Sequence, residues 1–318
     1  VSEASAMIDK IIEYETAGAR DPWKLRMTFV ADDGLAEPGA DNGFTHVNHA
    51  ELVAAKVPRL FEKRKIYMHQ YPTIFAAGGR RKPAVNKAII DQMNEGTLVV
   101  NYSGHGNPRL WAHENVFVRE TDFPLLSNAG RYYFLVAATC NFSEFDGLND
   151  QSGGEVLLAK PNAGAVAVFS ASRVVFAYEN RVLNETLFVR MFPNGASGVA
   201  FPRRLGDVLY ETKQRRTSDN DRKYFLLGDP AMMFGVPELG TTIDSVNGVA
   251  ATQVTQLRAL ERATMSATVR DSTTAPTRPF NGASSSAISR TSSEVMCRAS
   301  ARGCTVMPGA PASMHVRT

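Results

Sequence analysis

The chain has 318 residues, 44% of them hydrophobic, enough for one large α/β core with an appendage or for two modest domains, and too apolar for wholesale disorder. Its formal charge of +3 is carried by the end of the chain, where residues 281–318 hold Arg290, Arg298, Arg302 and Arg317 against Glu294 alone; the remainder is balanced. A basic face for nucleic acid is therefore not expected.

No run reaches the ~18 apolar residues of a membrane helix, so no transmembrane segment is expected. The first residues lack a basic stretch followed by an apolar one, and Val1 already lies inside a helical pattern. We read the chain as a piece of a longer protein. Cys297 and Cys304 fall in the terminal stretch and Cys140 alone in the body, which excludes a disulfide framework there. A single body cysteine is either a small buried side chain or a reactive thiol.

In chain order, Met7, Ile8, Ile11 and Ile12 predict an amphipathic helix over 2–17. After the turn at Asp21-Pro22, Leu25, Met27 and Phe29 alternate into a strand that ends in the loop Asp32-Asp33-Gly34. A helix is expected from Val47 to Lys63, a short strand from Ile66 to His69, and a proline-initiated helix from Pro83 to Asn94. Thr97–Tyr102 is a strand that delivers Ser103-Gly104-His105-Gly106, and Tyr132–Ala138 is a continuous apolar strand that delivers Thr139-Cys140-Asn141. Further helices are expected at 153–160, 177–191 and 202–212, with a strand at 165–170.

The alternation predicts an α/β fold: an open, mostly parallel sheet with helices on both faces, occupying residues 1–238. Residues 239–280 are Thr- and Val-rich and read as the start of a β-rich, Ig-like domain, with one short helix expected over Gln253–Arg262. Residues 281–318 contain no aromatic side chain and are expected to be disordered, with the look of a frame-shifted tail.

In an open parallel sheet, ligands sit beyond the carboxyl ends of the strands. His105 and Cys140 each follow a strand directly. An imidazole beside a thiol can take its proton and later deliver it to a leaving amine. Gly104 and Gly106 leave the backbone open, so the N–H groups of Gly106 and Cys140 are candidates for an oxyanion hole. Gly-His-Gly alone is common, and a cysteine after a strand is more often packing than chemistry. Two separate strand ends are harder to assign to packing together.

A hydrophobic block ending in His-Gly, followed by a second ending in Ala-Thr-Cys, resembles the caspase-like cysteine peptidases. The segments Val100–Gly106, Trp111–Glu114, Ala138–Asp146, Gly154-Glu155 and Leu227–Pro230 are similar to the gingipain (C25) family, and closest to its member that acts as signal peptidase and sortase of the type IX secretion system. That resemblance implies Cys140 as nucleophile, His105 as base, and an acid after the early strand, Asp33 or its neighbour Asp32, to orient the imidazole. It also implies protein substrates from secreted cargo, secretion-system components as partners, and a cell-surface location. By the same resemblance, the family's upstream half of the catalytic region is expected to be missing from this stretch.

The arginine-cleaving members place an aspartate in their specificity pocket. The matching stretch Gly43-Phe44-Thr45-His46 has none, so a small or polar specificity residue is expected instead. Ser172 and Arg173, within the segment after the strand at 165–170, are expected to form a pocket wall. No cofactor and no metal is expected: His113 has no zinc-like spacing to His105, and a metal site from His105, His113 and Asp33 is poorly motivated. The rival reading is a non-catalytic, peptidase-like scaffold in a secretion complex.

Overall fold

The apolar runs become strands buried on both sides, and they pair with one another rather than with separate partners. In the computed structural model, which describes residues 1–16, 21–34, 44–148, 150–193, 203–216, 218–236, 239–253, 255–257, 262–271, 290–296 and 304–306, the chain divides into two units, Val1–Val236 and Pro237–Thr318. The strands of the first unit are β1 (Arg26–Ala31), β2 (Glu62–Tyr67), the hairpin β3 (Ile74–Ala76) and β4 (Gly79–Arg81), β5 (Val99–Ser103), the pair β6 (Leu110–Trp111) and β7 (Phe117–Val118), β8 (Tyr133–Ala138), β9 (Ala165–Ala171) and β10 (Tyr224–Leu227). Six of them form one sheet in the order β10-β9-β8-β5-β1-β2. All neighbours are parallel except β10, which runs against β9.

The helices are α1 (Ser2–Thr16), α2 (Thr45–Ala54), α3 (Pro83–Glu95), α4 (Gly153–Ala159), α5 (Ala177–Met191), α6 (Leu205–Gln214) and α7 (Asp219–Arg222). Successive strand residues point to opposite faces, so the sheet feeds two cores. On one face Phe29, Val99, Phe134 and Phe169 belong to the cluster that holds Val53 of α2, Leu187 of α5 and Val208 of α6. On the other, Val30, Val100, Leu135 and Val168 belong with Val85 and Ile89 of α3 and Leu157 of α4. The expected α/β sheet covered on both faces is thus what forms.

Two expectations are corrected. The helix expected from Val47 to Lys63 stops at Ala54, because Pro58 cannot supply the N–H that a continuing helix needs. The charged stretch after it is strand β2, whose Arg64 and Lys65 are exposed at the sheet edge. An edge strand tolerates charge on its solvent side, so the short strand expected from Ile66 to His69 begins earlier, at Glu62, and ends at Tyr67.

The second unit contains β11 (Leu239–Val246), β12 (Val249–Ala250), β13 (Thr255–Leu257), β14 (Arg262–Asp271), β15 (Arg290–Met296) and β16 (Cys304–Val306). They form a four-stranded antiparallel sheet, β12-β11-β14-β15, and the pair β13-β16. The helix expected over Gln253–Arg262 is the second correction, since Thr255–Leu257 is a strand and Arg262 opens another; cross-strand pairing overrides the weak helical pattern. Within the stretch expected to be disordered, β15 and β16 are described and the rest lies outside the described residues. No helix among the described residues is long and apolar enough to cross a membrane.

Helix α1 is tied to the sheet by a buried lysine. Lys10 Nζ donates to the carbonyls of Leu157 (3.2 Å), Ala163 (3.1 Å) and Ala165 (2.8 Å), at the end of α4 and the start of β9. Burial, with a smaller contribution from the charge of Lys160, pushes its pKa down to about 7. Replacing Lys10 with Met keeps the length and leaves three buried carbonyls short of a donor, each worth roughly 1 kcal/mol or more. Lys10→Met is expected to lower the unfolding free energy by about 2–4 kcal/mol in urea titration; a loss under ~1 kcal/mol would show that the three contacts do not hold the helix.

Candidate active site

The pairing register sets the geometry of the site. Ser103 of β5 pairs with Ala138 of β8, so His105 and Cys140, each two residues further on, leave the sheet at the same level of adjacent parallel strands. Ala31 of β1 pairs with Ser103 on the other side, and the Asp32 N–H donates to the Ser103 carbonyl at 3.0 Å, which brings the Asp32-Asp33 pair to the same sheet end.

The backbone of His105 is clamped from both ends. Its N–H donates to Asp32 Oδ2 at 2.9 Å. Its carbonyl accepts from the Tyr102 hydroxyl at 2.6 Å and from the Ala112 N–H at 2.8 Å. Tyr102 is fully buried, lies flat on Trp111 with ring centroids 4.2 Å apart, and its phenol is held well above the ordinary range by burial, Asp32 and Glu114. It therefore stays protonated and keeps donating. A Cβ at Gly104 would sit 2.3 Å from the Tyr102 hydroxyl and 2.5 Å from Asp32 Cβ, so glycine is what allows the loop to pass between them.

Asp32 and Asp33 have different surroundings. Asp32 is completely buried, and one of its carboxylate oxygens lies within 4.8 Å of a ring nitrogen of His105 and of His46. Asp33 instead faces Lys82 at 3.1 Å and Arg80 at 3.8 Å. Arg80 also pairs with the buried Glu114 at 2.9 Å, and Lys82 is further held by the carbonyls of Met68 and Tyr71 at 2.9 and 2.8 Å.

Cys140 is half-buried at the end of β8. Its Sγ accepts from the Val175 N–H and lies equally near the Val175 carbonyl, both at 3.4 Å. The chain then turns through Asn141 at φ +51°, a left-handed conformation that asparagine tolerates, and the Asn141 side chain donates to Glu144 at 2.7 Å. Among the described residues the N–H groups of Gly106 and Cys140 have no backbone acceptor, as an oxyanion hole requires. A Cβ at Gly106 would meet Thr139 Oγ1 at 2.6 Å, which explains the second glycine.

Ser172 and Arg173, expected to form a pocket wall, both make structural contacts. Ser172 is buried, and its hydroxyl and N–H both donate to the Lys223 carbonyl, so it joins β9 to the chain entering β10. Arg173 is exposed and grips Asp146 with both terminal nitrogens, at 2.9 and 2.5 Å, while its carbonyl accepts from the Asn141 N–H at 3.2 Å. It braces the turn after Cys140.

Sequence reasoning missed Tyr102 and Val175, and did not join His46 to His105. His46, buried on the first turn of α2, stands edge-on to His105 with ring centroids 5.2 Å apart, and the ring of the exposed His113 has its centroid 5.0 Å from that of His105. Only folding brings residues 46, 105 and 113 together, so spacing offered no signal. Residues 35–43, which include Gly43 of the specificity stretch, lie outside the described residues.

The model of peptidase family C25 matches residues 1–235. Gingipain R2 of Porphyromonas gingivalis is 26% identical over 145 residues, which cover 45% of this chain and 18% of that protein. Gingipain R1 of the same organism is also 26% identical over 145 residues, 13% of its length. The chain thus spans less than a fifth of the curated relatives it matches. The crystal structure of the Arg-specific cysteine proteinase gingipain R superposes with a TM-score of 0.57 at 21% identity, over 84% of this chain and 59% of that one. A second solved protease gives 0.55 at 13% identity, over 92% and 72%. These two superpositions speak to the fold alone.

The tight passage at Gly104 gives a direct check. Gly104→Ala is expected to destabilise the protein by about 1–3 kcal/mol, the usual cost of forcing an extra methyl into packed structure, and to remove hydrogen-exchange protection from the His105 amide. An unchanged His105 amide would show that Asp32 does not hold it.

Proposed function

The chain belongs to peptidase family C25, and from that membership we propose that it cleaves peptide bonds through a thioester formed on Cys140, with His105 as general base. The observation that carries the proposal is the shared register of β5 and β8, which brings His105 and Cys140 off adjacent strands at one level.

In the proposed reaction His105 takes the Cys140 proton, and the sulfur attacks the scissile carbonyl carbon. The N–H groups of Gly106 and Cys140 receive the charge that develops on oxygen, and His105 returns the proton to the departing amine. Water or a second amine then attacks the thioester, giving hydrolysis or transpeptidation. Asp32 orients and stabilises the imidazolium: its carboxylate is the one near the His105 ring, whereas Asp33 serves the Lys82 and Arg80 pairs.

Within that class we assign the protein to processing of secreted cargo at the cell surface, by removal of C-terminal targeting domains in the manner of PorU, the signal peptidase and sortase of the type IX secretion system. The support is the likeness of Val100–Gly106, Trp111–Glu114 and Ala138–Asp146 to that protein, and the lack of an acid at Phe44, Thr45 and His46 to receive an arginine side chain. Secreted protein cargo would be the substrate and other secretion components the partners.

Cys140→Ala is expected to abolish peptide turnover with an unchanged circular dichroism spectrum, and residual turnover above ~1% would remove Cys140 as nucleophile. In a chain with Cys297 and Cys304 replaced by serine, iodoacetamide should label Cys140 faster than a free thiol at neutral pH, and a peptide substrate should protect it. For the acid, Asp32→Asn is expected to cut kcat by ~10²-fold or more, as loss of a histidine-orienting carboxylate does elsewhere, while Asp33→Asn acts mainly on stability. The reverse pattern would transfer the role to Asp33.

A further inference from the structure

We propose that Asp32, His46 and His105 form a binding site for a divalent transition metal of the zinc class, and that filling it takes His105 out of proton transfer. One carboxylate oxygen of Asp32 and one ring nitrogen each of His46 and His105 lie within 4.8 Å of one another. Two imidazoles and a carboxylate are a donor set that zinc takes, leaving its fourth position to water. Bonds of about 2.0–2.1 Å in a tetrahedron place ligand atoms roughly 3.3 Å apart, so the three donors close by at most about 1.5 Å, within the reach of side-chain rotation.

The surroundings favour this trio over its neighbours. Asp32 and His46 are 0% and 3% exposed and stand on β1's end and on α2, rigid supports that limit the ordering a metal must impose. The adjacent oxygen-rich group of Asp32, Asp33 and Glu114 already faces Lys82 and Arg80, which disfavour a further cation there. Imidazole nitrogens also select zinc-class ions over calcium or magnesium, which take oxygen ligands.

Ligation through one nitrogen of neutral His105 leaves the proton on the other, so the ring has no lone pair for the Cys140 proton. The metal therefore acts as a reversible block. That consequence rests on the peptidase reading of the preceding subsection, whereas the metal site does not.

The test uses Co²⁺ as a spectroscopic stand-in for zinc, in the chain with Cys297 and Cys304 replaced by serine. Expected are d–d absorption bands without a sulfur-to-cobalt charge-transfer band, retained in Cys140→Ala, displaced by Zn²⁺, and requiring at least ~10-fold more metal in His46→Gln. A charge-transfer band that vanishes in Cys140→Ala, or unchanged affinity in folded His46→Gln, would overturn the proposal. Should His46→Gln fail to fold, the spectrum with all three ligands intact decides alone. Zn²⁺ should inhibit peptide hydrolysis at the concentrations that displace Co²⁺. Absent hydrolysis with an intact Co²⁺ signature would refute the peptidase reading and leave the metal site standing.

Discussion

Three neighbouring parallel strands, each buried on both faces, decide where the reactive groups of the first unit leave the sheet. Because β1, β5 and β8 are held in register by backbone hydrogen bonds and by a core on either side, their ends cannot slide relative to one another without exposing a full row of apolar side chains. A single register therefore brings an acid, an imidazole and a thiol to one end of the sheet. Loops alone would not hold three groups to that tolerance.

Around this frame the polar interactions act locally. Tyr102 and Asp32 hold the two ends of the His105 peptide, Val175 offers its N–H to the sulfur, and Arg173 with Asp146 braces the turn beyond Cys140. Beside Asp32, Asp33 is paired with Lys82 and Arg80, and Arg80 also pairs with the buried Glu114.

What could be read from the sequence was what depends on nearest neighbours along the chain. The strands ending at Ser103 and Ala138 announce themselves as apolar runs, so His105 and Cys140 were visible as strand-end residues. The start of β2 was hidden because its charged residues Glu62 to Lys65 lie on an edge, and only its apolar end at Ile66 and Tyr67 read as strand. The surroundings of Asp32 and Asp33 were illegible for a sharper reason: consecutive residues leaving a strand point in opposite directions, and only the fold shows Asp32 near the His105 ring and Asp33 facing Lys82 and Arg80. His46, Tyr102 and Val175 matter through contacts made across the molecule, and no pattern in one sequence encodes those.

The proposed nucleophile and base sit on the two innermost strands of six, with no edge between them and solvent exchange. Elements near a margin can open in small fluctuations while the rest of a protein stays intact, but a pair at the centre separates only when the cooperative unit comes apart. Any chemistry that needs both residues is thereby tied to the whole body's integrity, and a partly frayed chain keeps the pair together for as long as the middle of the sheet survives.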